Sequence, residues 1–443
     1  MTTLRIDDAQ LVADGRVRRA SVLIDGDGRI GSIIEDGQPK PSADSVVDAS
    51  NNLLLPGGID EHVHFRDPGL THKADMASES AAALLGGVTS VMDMPNVVPQ
   101  TVNIQAWQDK MDAAKQKMLT NYAFYLGATN DNLDELLKAD FSKVAAIKFF
   151  MGSSTGGMLI DDDSTLDKLF AQAPALLVGH CERQSVIKAN EDDARARYAN
   201  NVPWSAHRDI RSSRACAEAT DEAIALATKH QARLHILHVS TQDEINSLAQ
   251  ADHSLVTSET CPAYLWFNDE DYNNYGPLIK CNPSIKTRQD MLALRKALQD
   301  GIIDTIGSDH APHTLREKLC HPYWQTPSGM PMVGHSLPVL LTLAHQGQIS
   351  LPSIARSMSE NVADVYGIKD RGHVKPGAWA DLVLVREQDN VVADVAYKCQ
   401  WSPLNGAHLS HVVDKVFVNG RLAVDAGRVT GSNAMPLSFS PRR

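Results

Sequence analysis

In the stretch GGIDEHVHFRDPG, residues 57–69, His62, His64 and Arg66 fall at every second position. Successive side chains of a strand alternate faces, so these three point the same way and two imidazoles can approach one object together. Imidazole nitrogen suits zinc and neighbouring divalent metals. A pair of surface histidines on an edge strand is the plainer alternative, but the apolar LLLPGG and VHF around them fit an exposed strand poorly. A metal ion is the expected partner.

Other reactive residues sit in similar surroundings. His180 closes LLVGH, His238 closes LHILH and Asp309 closes DTIGSD. Singly, each histidine could be a core residue bonded to a carbonyl, and Asp309 could cap a helix. His310 and His313 next to it favour an acid or base. Lys148, between Ile147 and Phe149, lies in a segment too apolar for a solvated surface, so its amine must find a partner or lose its charge. A salt bridge to a core carboxylate would serve. So would reaction with carbon dioxide to a carbamate, whose two oxygens could bridge two metals. Arg66, Asn96 and Asn282 add a cation and two amides suited to a carboxylate and a polar ring edge. His235, an odd number of residues from His238, is assigned the opposite face and left out. Cys181 and Cys261 lack thiolate-site spacing.

The elements that must position these residues follow from hydrophobic patterning. Short apolar strands are expected over residues 53–64, 88–94, 123–127, 144–150, 175–180, 233–238, 255–259 and 304–309, with helix-like stretches between several of them. Eight such units predict an α/β fold, a closed (β/α)8 barrel of the TIM type, with reactive side chains where strands end and loops begin. Residues 1–55 and 371–443 read as short strands around Gly, Asp and NG turns, predicting a small β-sandwich built from both chain ends, beside a catalytic barrel over residues 56–370.

At 443 residues the chain is long enough for one large domain and a smaller one. The 43% apolar and 22% charged content is that of an ordinary globular protein, with no apolar run long enough to span a bilayer. MTTLRIDDAQLVADGR has acids where a signal peptide needs an apolar core, so a cytoplasmic location is expected. Six scattered cysteines argue against a disulfide framework, and a net charge of −12 disfavours nucleic acid. A small acidic substrate remains compatible with a locally basic pocket.

DEHVHFRDPG, AALLGGVTSVMDMPNVVPQT, IKFFMGSSTG, LHILHVST, KCNPSIKTR, GSDHAPHT and PSGMPMVGHS occur in that order. With them the chain resembles the amidohydrolase superfamily, most closely its dihydroorotase branch, over nearly its whole length. The resemblance implies a two-zinc centre: His62, His64 and Asp309 on one ion, His180 and His238 on the other, carboxylated Lys148 and a hydroxide bridging them. It implies that His64, Arg66, Asn96, Asn282, His313, Ser328 and Gly329 bind substrate, and that Arg66 separates this branch from hydantoinases and allantoinases. The implied reaction is reversible hydrolysis of the cyclic amide of dihydroorotate to N-carbamoyl-L-aspartate, a step of pyrimidine synthesis, with hydroxide attacking the ring carbonyl and Asp309 moving the proton. HFRDP for HLREP and NPSIK for NPPLR are departures from the usual pattern; the second bears on the Asn282 contact. Relatives are often homodimers. Some that have lost metal ligands are non-catalytic partners of aspartate transcarbamoylase, but all six ligand positions are filled here. The segment TLREKLCHPYWQTPSG, residues 314–329, is expected to be a mobile loop.

Overall fold

Runs rich in β-branched residues, broken by Gly and Asp turns, favour strands at both chain ends. The computed structural model describes residues 2–152, 158–160, 162–320 and 322–440. Residues 153–157, part of IKFFMGSSTG, and His321 of the 314–329 segment lie outside the described residues. The chain opens with β1 (Leu4–Ala13), β2 (Arg16–Ile24), β3 (Ile30–Glu35), β4 (Ser45–Asp48) and β5 (Leu53–Pro56).

The barrel follows: β6 (Gly58–Val63), β7 (Val88–Asp93), β8 (Asn121–Phe124), β9 (Leu126–Gly127), β10 (Ile147–Phe150), β11 (Leu177–His180), β12 (Leu234–Ile236), β13 (Val256–Thr260) and β14 (Thr305–Ile306). β6, β7 and β8 pair in parallel, and so do β9 through β14 in sequence order. β8 and β9 are one strand interrupted at Tyr125. The ring closes where Val63 bridges His310 and the His64 amide donates to the His310 carbonyl at 2.8 Å. This seam between first and last strands carries few backbone bonds.

The last strands, β15 (Leu382–Val392), β16 (His408–Val418), β17 (Arg421–Asp425) and β18 (Arg428–Val429), return to the first sheet, in the order β18-β17-β16-β15-β5-β1-β2-β3, with β4 beside β1. Its pairs are antiparallel except those of β1 with β4 and β5. The run 53–64 is thus two strands in two sheets: β5 belongs to the end sheet and β6 to the barrel. The Pro56–Gly57–Gly58 junction, at the foot of the barrel, is where the chain changes sheets.

One end of the barrel interior is filled by Met92, Met94, Tyr125, Val178 and Leu237 packed on Val362 and Tyr366. Leu437 and Phe439 of the tail complete this plug, and the Leu437 amide donates to the Tyr122 carbonyl at 2.8 Å. With that end filled, an open pocket can form only at the other, where the strand C-termini lie.

Candidate active site

A cavity of about 280 Å3 opens at the carboxyl ends of the barrel strands, lined by His62, His64, Arg66, Asn96, Lys148, His180, His238, Asn282, Asp309, Ser328 and Gly329, with Phe150 and Arg211. The six expected metal-ligating residues therefore meet, although they span nearly 250 positions of sequence. Of the residues expected to bind substrate, His313 alone stands behind the lining. Its Nε2 contacts the Ser328 carbonyl at 3.1 Å and lies 3.3 Å from the Arg66 guanidinium.

Three of the four rings are held by their far edge. His62 Nδ1 bonds Glu259 Oε1 at 2.8 Å, His64 Nδ1 bonds Asn96 Oδ1 at 2.8 Å and His180 Nε2 bonds Glu182 Oε2 at 2.9 Å. Those oxygens are acceptors, so each bonded nitrogen carries the proton and the opposite nitrogen presents a lone pair. This is how metal-ligating histidines are commonly oriented. His62 Nε2 and His64 Nε2 approach Asp309 Oδ1 at 3.3 and 3.2 Å, and His238 Nε2 lies 2.8 Å from His180 Nδ1. Burial pulls His62 and His64 down to about 4 and lowers His180 and His238 too, so all four rings are neutral near pH 7, the form a metal requires.

Lys148 is fully buried, and its Nζ has no hydrogen-bond partner among the described residues. It stands 4.3 Å from the Phe150 ring centroid, and burial brings its pKa down to about 7. A salt bridge to a core carboxylate, the plainer expectation, is absent among the described residues. Burial pushes Asp309 up, but His62 and His64 outweigh it and leave the carboxyl below its ordinary value. Neutral imidazoles, two carboxylate oxygens and an unpartnered amine form a donor set that fits divalent metal ions.

Local backbone aims these groups. Arg66, His238 and Asp309 adopt φ of 63°, 44° and 45°. Such left-handed conformations cost on the order of 1 kcal/mol each and persist where surrounding contacts enforce them. The Phe65 amide donates to Asp93 Oδ1 at 2.8 Å, and Asp93 pairs with buried Lys110 at 2.6 Å, fixing the turn that delivers Arg66. Gly329 has φ 131°, and a Cβ there would lie 2.6 Å from the Ala311 carbonyl oxygen, so its backbone can face the cavity only as glycine.

Some residues behave differently from expectation. β12 ends at Ile236, so the alternation argument fails at His238, and His235 points into the barrel interior one layer below the cavity. His310 serves packing: its Nε2 bonds Glu79 at 2.8 Å and its Nδ1 accepts the Met332 amide at 3.0 Å. Burial holds the Cys181 thiol up at about 12, and neither Cys181 nor Cys261 lines the cavity. The described residues of the segment 314–329 are tied down by hydrogen bonds. Lys318 Nζ donates to the carbonyls of Lys280, Pro327 and Gly329 at 3.1, 3.0 and 2.9 Å, and Lys280 Nζ donates to those of Tyr323 and Thr326.

Sequence reasoning missed Glu182, Glu259 and Arg211. Glu182 follows His180 by two positions, a readable signal; Glu259 is the fourth residue of β13, VTSET, where three polar neighbours mask it. Arg211, which binds Glu182 through Nε at 3.0 Å, caps the short helix His207–Ile210, where nothing in the sequence marks it.

Residues 53–423 match the sequence model of the amidohydrolase family. The chain is 33% identical over 436 residues to a protein named dihydroorotase of Halobacterium salinarum, covering 96% of this chain and 98% of that protein. It is 28% identical over 434 residues to a protein named allantoinase of Salmonella gallinarum, covering 92% and 94%. Among solved structures, the L-hydantoinase (dihydropyrimidinase) of Arthrobacter aurescens superposes with a TM-score of 0.92 at 27% identity, covering 98% of both chains.

Proposed function

Because the chain belongs to the amidohydrolase family, whose members are metal-dependent hydrolases, we propose that it opens a cyclic amide carrying a carboxylate and is a dihydroorotase. Arg66 carries this reading. It is 4% exposed, lines the cavity and bonds the Pro312 carbonyl at 3.0 Å, yet no carboxylate of the described residues pairs with it. Burial lowers it to about 10, which leaves it charged at neutral pH. A buried guanidinium facing a cavity calls for an anion, and its planar fork matches a carboxylate. Dihydroorotate has one; hydantoin and allantoin rings do not.

His62, His64 and Asp309 would hold one zinc ion and His180 and His238 a second, with Lys148 between them as its carbamate. The unpartnered amine near pKa 7 supports that last assignment, since the neutral amine attacks carbon dioxide and releases a proton. Two bound divalent ions supply a water activated near neutral pH and a polarised carbonyl. Asp309, a carboxylate on the cavity wall, takes the proton of the attacking water and returns it to the departing ring nitrogen. Arg66 and Asn96 orient the substrate from one side, and Asn282 with the Ser328–Gly329 backbone from the other. Asn282 Oδ1 is buried without a partner among the described residues, an acceptor free for a ring N–H. Synthesis runs the same contacts in reverse.

The test is a parallel assay of zinc-supplemented protein on dihydroorotate, hydantoin and allantoin. Turnover of dihydroorotate is expected, with kcat/KM on the uncharged rings lower by on the order of 100-fold. Arg66→Lys should retain metal and raise KM. Preference for an uncharged ring, or an unchanged KM in the variant, would move the assignment to another cyclic amidase.

A further inference from the structure

Below the cavity, the barrel interior holds a second cluster that the chemistry above does not use. Glu61 on β6, His235 on β12 and Glu259 on β13 each offer one ligand atom, and these atoms lie within 4.8 Å of one another. All three side chains are fully buried. Glu259 commits Oε1 to His62 Nδ1 and to the His238 amide at 3.1 Å. Its Oε2 has no hydrogen-bond partner among the described residues. A Cβ at Gly307 would lie 2.3 Å from that Oε2, so the oxygen occupies its place only because residue 307 has no side chain.

Hydrogen bonding leaves the cluster incomplete: neither oxygen of Glu61 has a partner among the described residues. His235 turns Nδ1 to the Thr257 hydroxyl at 2.8 Å, and that hydroxyl donates to the Leu234 carbonyl at 3.4 Å. His235 Nδ1 therefore carries the ring proton and Nε2 presents a lone pair; burial pulls the ring down to about 3, so it stays neutral. The Thr305 hydroxyl stands 3.3 Å from Nε2 and also faces Glu61, but its single proton can serve only one of them. Tyr125 Oη donates to the Glu61 backbone carbonyl at 2.7 Å, and Tyr366 Oη is engaged with Tyr125 Oη at 2.9 Å. Glu61 Oε1 and Oε2 and Glu259 Oε2 are thus buried without a hydrogen-bond partner among the described residues and converge with His235, an arrangement that leaves ligand atoms unsatisfied at one point.

We propose that Glu61, Glu259 and His235 bind a further divalent cation of the zinc class inside the barrel, separate from the ions assigned to the cavity. Burial alone favours protons on both carboxyls, so a divalent ion binds by displacing those protons, and its two charges balance the two carboxylates that result. Carboxylate oxygen with imidazole nitrogen is a donor set that zinc and its neighbours accept. The site is closed to solvent, so its role is structural. It ties β6 to β12 and β13, and it fixes the same Glu259 carboxylate whose other oxygen orients His62.

Crystals grown with zinc chloride as the only added divalent metal, measured on both sides of the zinc absorption edge, test this. An anomalous peak bounded by Glu61, Glu259 and His235, absent from Glu61→Gln crystals, is expected, and elemental analysis should find one equivalent less per chain in that variant. If the variant fails to fold, the wild-type map decides alone. No peak at this position overturns the proposal and leaves the carboxylates neutralised by protons. Absence of peaks in the cavity alone would instead overturn the catalytic reading and leave this one standing.

Discussion

At the scale of single residues, Lys148 and Asp309 separate stability from activity. Burial holds Lys148 near 7, against 10.5 for a free lysine. Between those values the unfolded chain binds more protons than the folded one, so this residue makes stability rise with pH across pH 7 to 10.5. Below that window its full burial cost applies, on the order of 5 kcal/mol. In metal-free, carbon-dioxide-free buffer, Lys148→Met should therefore have a higher urea midpoint than wild type at pH 6.5, with the gap closing toward pH 10. It should also lose turnover. Equal midpoints at the lower pH would mean that the amine is solvated. Asp309→Asn keeps the shape of the side chain but cannot accept the proton, so turnover should fall by at least on the order of 100-fold. Near-normal kcat in that variant would remove it as the proton carrier.

At the scale of elements, the loop facing the substrate owes its form to a buried lysine. Lys318 binds three backbone carbonyls, one of them on Gly329, which lines the cavity. Lys318→Met leaves those carbonyls without their donor. The expected loss is about 3 kcal/mol in urea unfolding, together with a raised KM, because the Ser328–Gly329 backbone is no longer held. An unchanged KM would show that the loop keeps its shape unaided. This clamp was not legible in the sequence: a lysine and three distant carbonyls share no local pattern, and position and composition suggested a loose loop. The barrel strands and the residues at their ends were legible, because period-two alternation and strand-terminal polar residues are local signals. Where the local signal ended early, at Ile236, the face assigned to His235 was wrong.

At the scale of the whole molecule, the end sheet and the barrel are joined by more than chain continuity. Asn121 of β8 bonds Asp381 and Asn419 of the far chain end, and Arg371 pairs with that same Asp381. The hydrophobic core likewise runs across the junction, with Leu55, Val383 and Val416 in one cluster with Leu84, Val88 and Leu337. Sequence texture showed that the two ends pair with each other. It did not show that the tail returns to plug the barrel, because Leu437 and Phe439 lie in a short segment without periodicity. The weakest line in this architecture is the seam between β6 and β14, with His62 and His64 on one side and Asp309 on the other. An ion gripping all three would act as a rivet between the first and last staves of the cask. Stripping it with a chelator should speed deuterium uptake in peptides covering residues 58–66 and 305–312, while peptides from β2, paired on both sides in the end sheet and carrying no assigned ligand, should exchange as before.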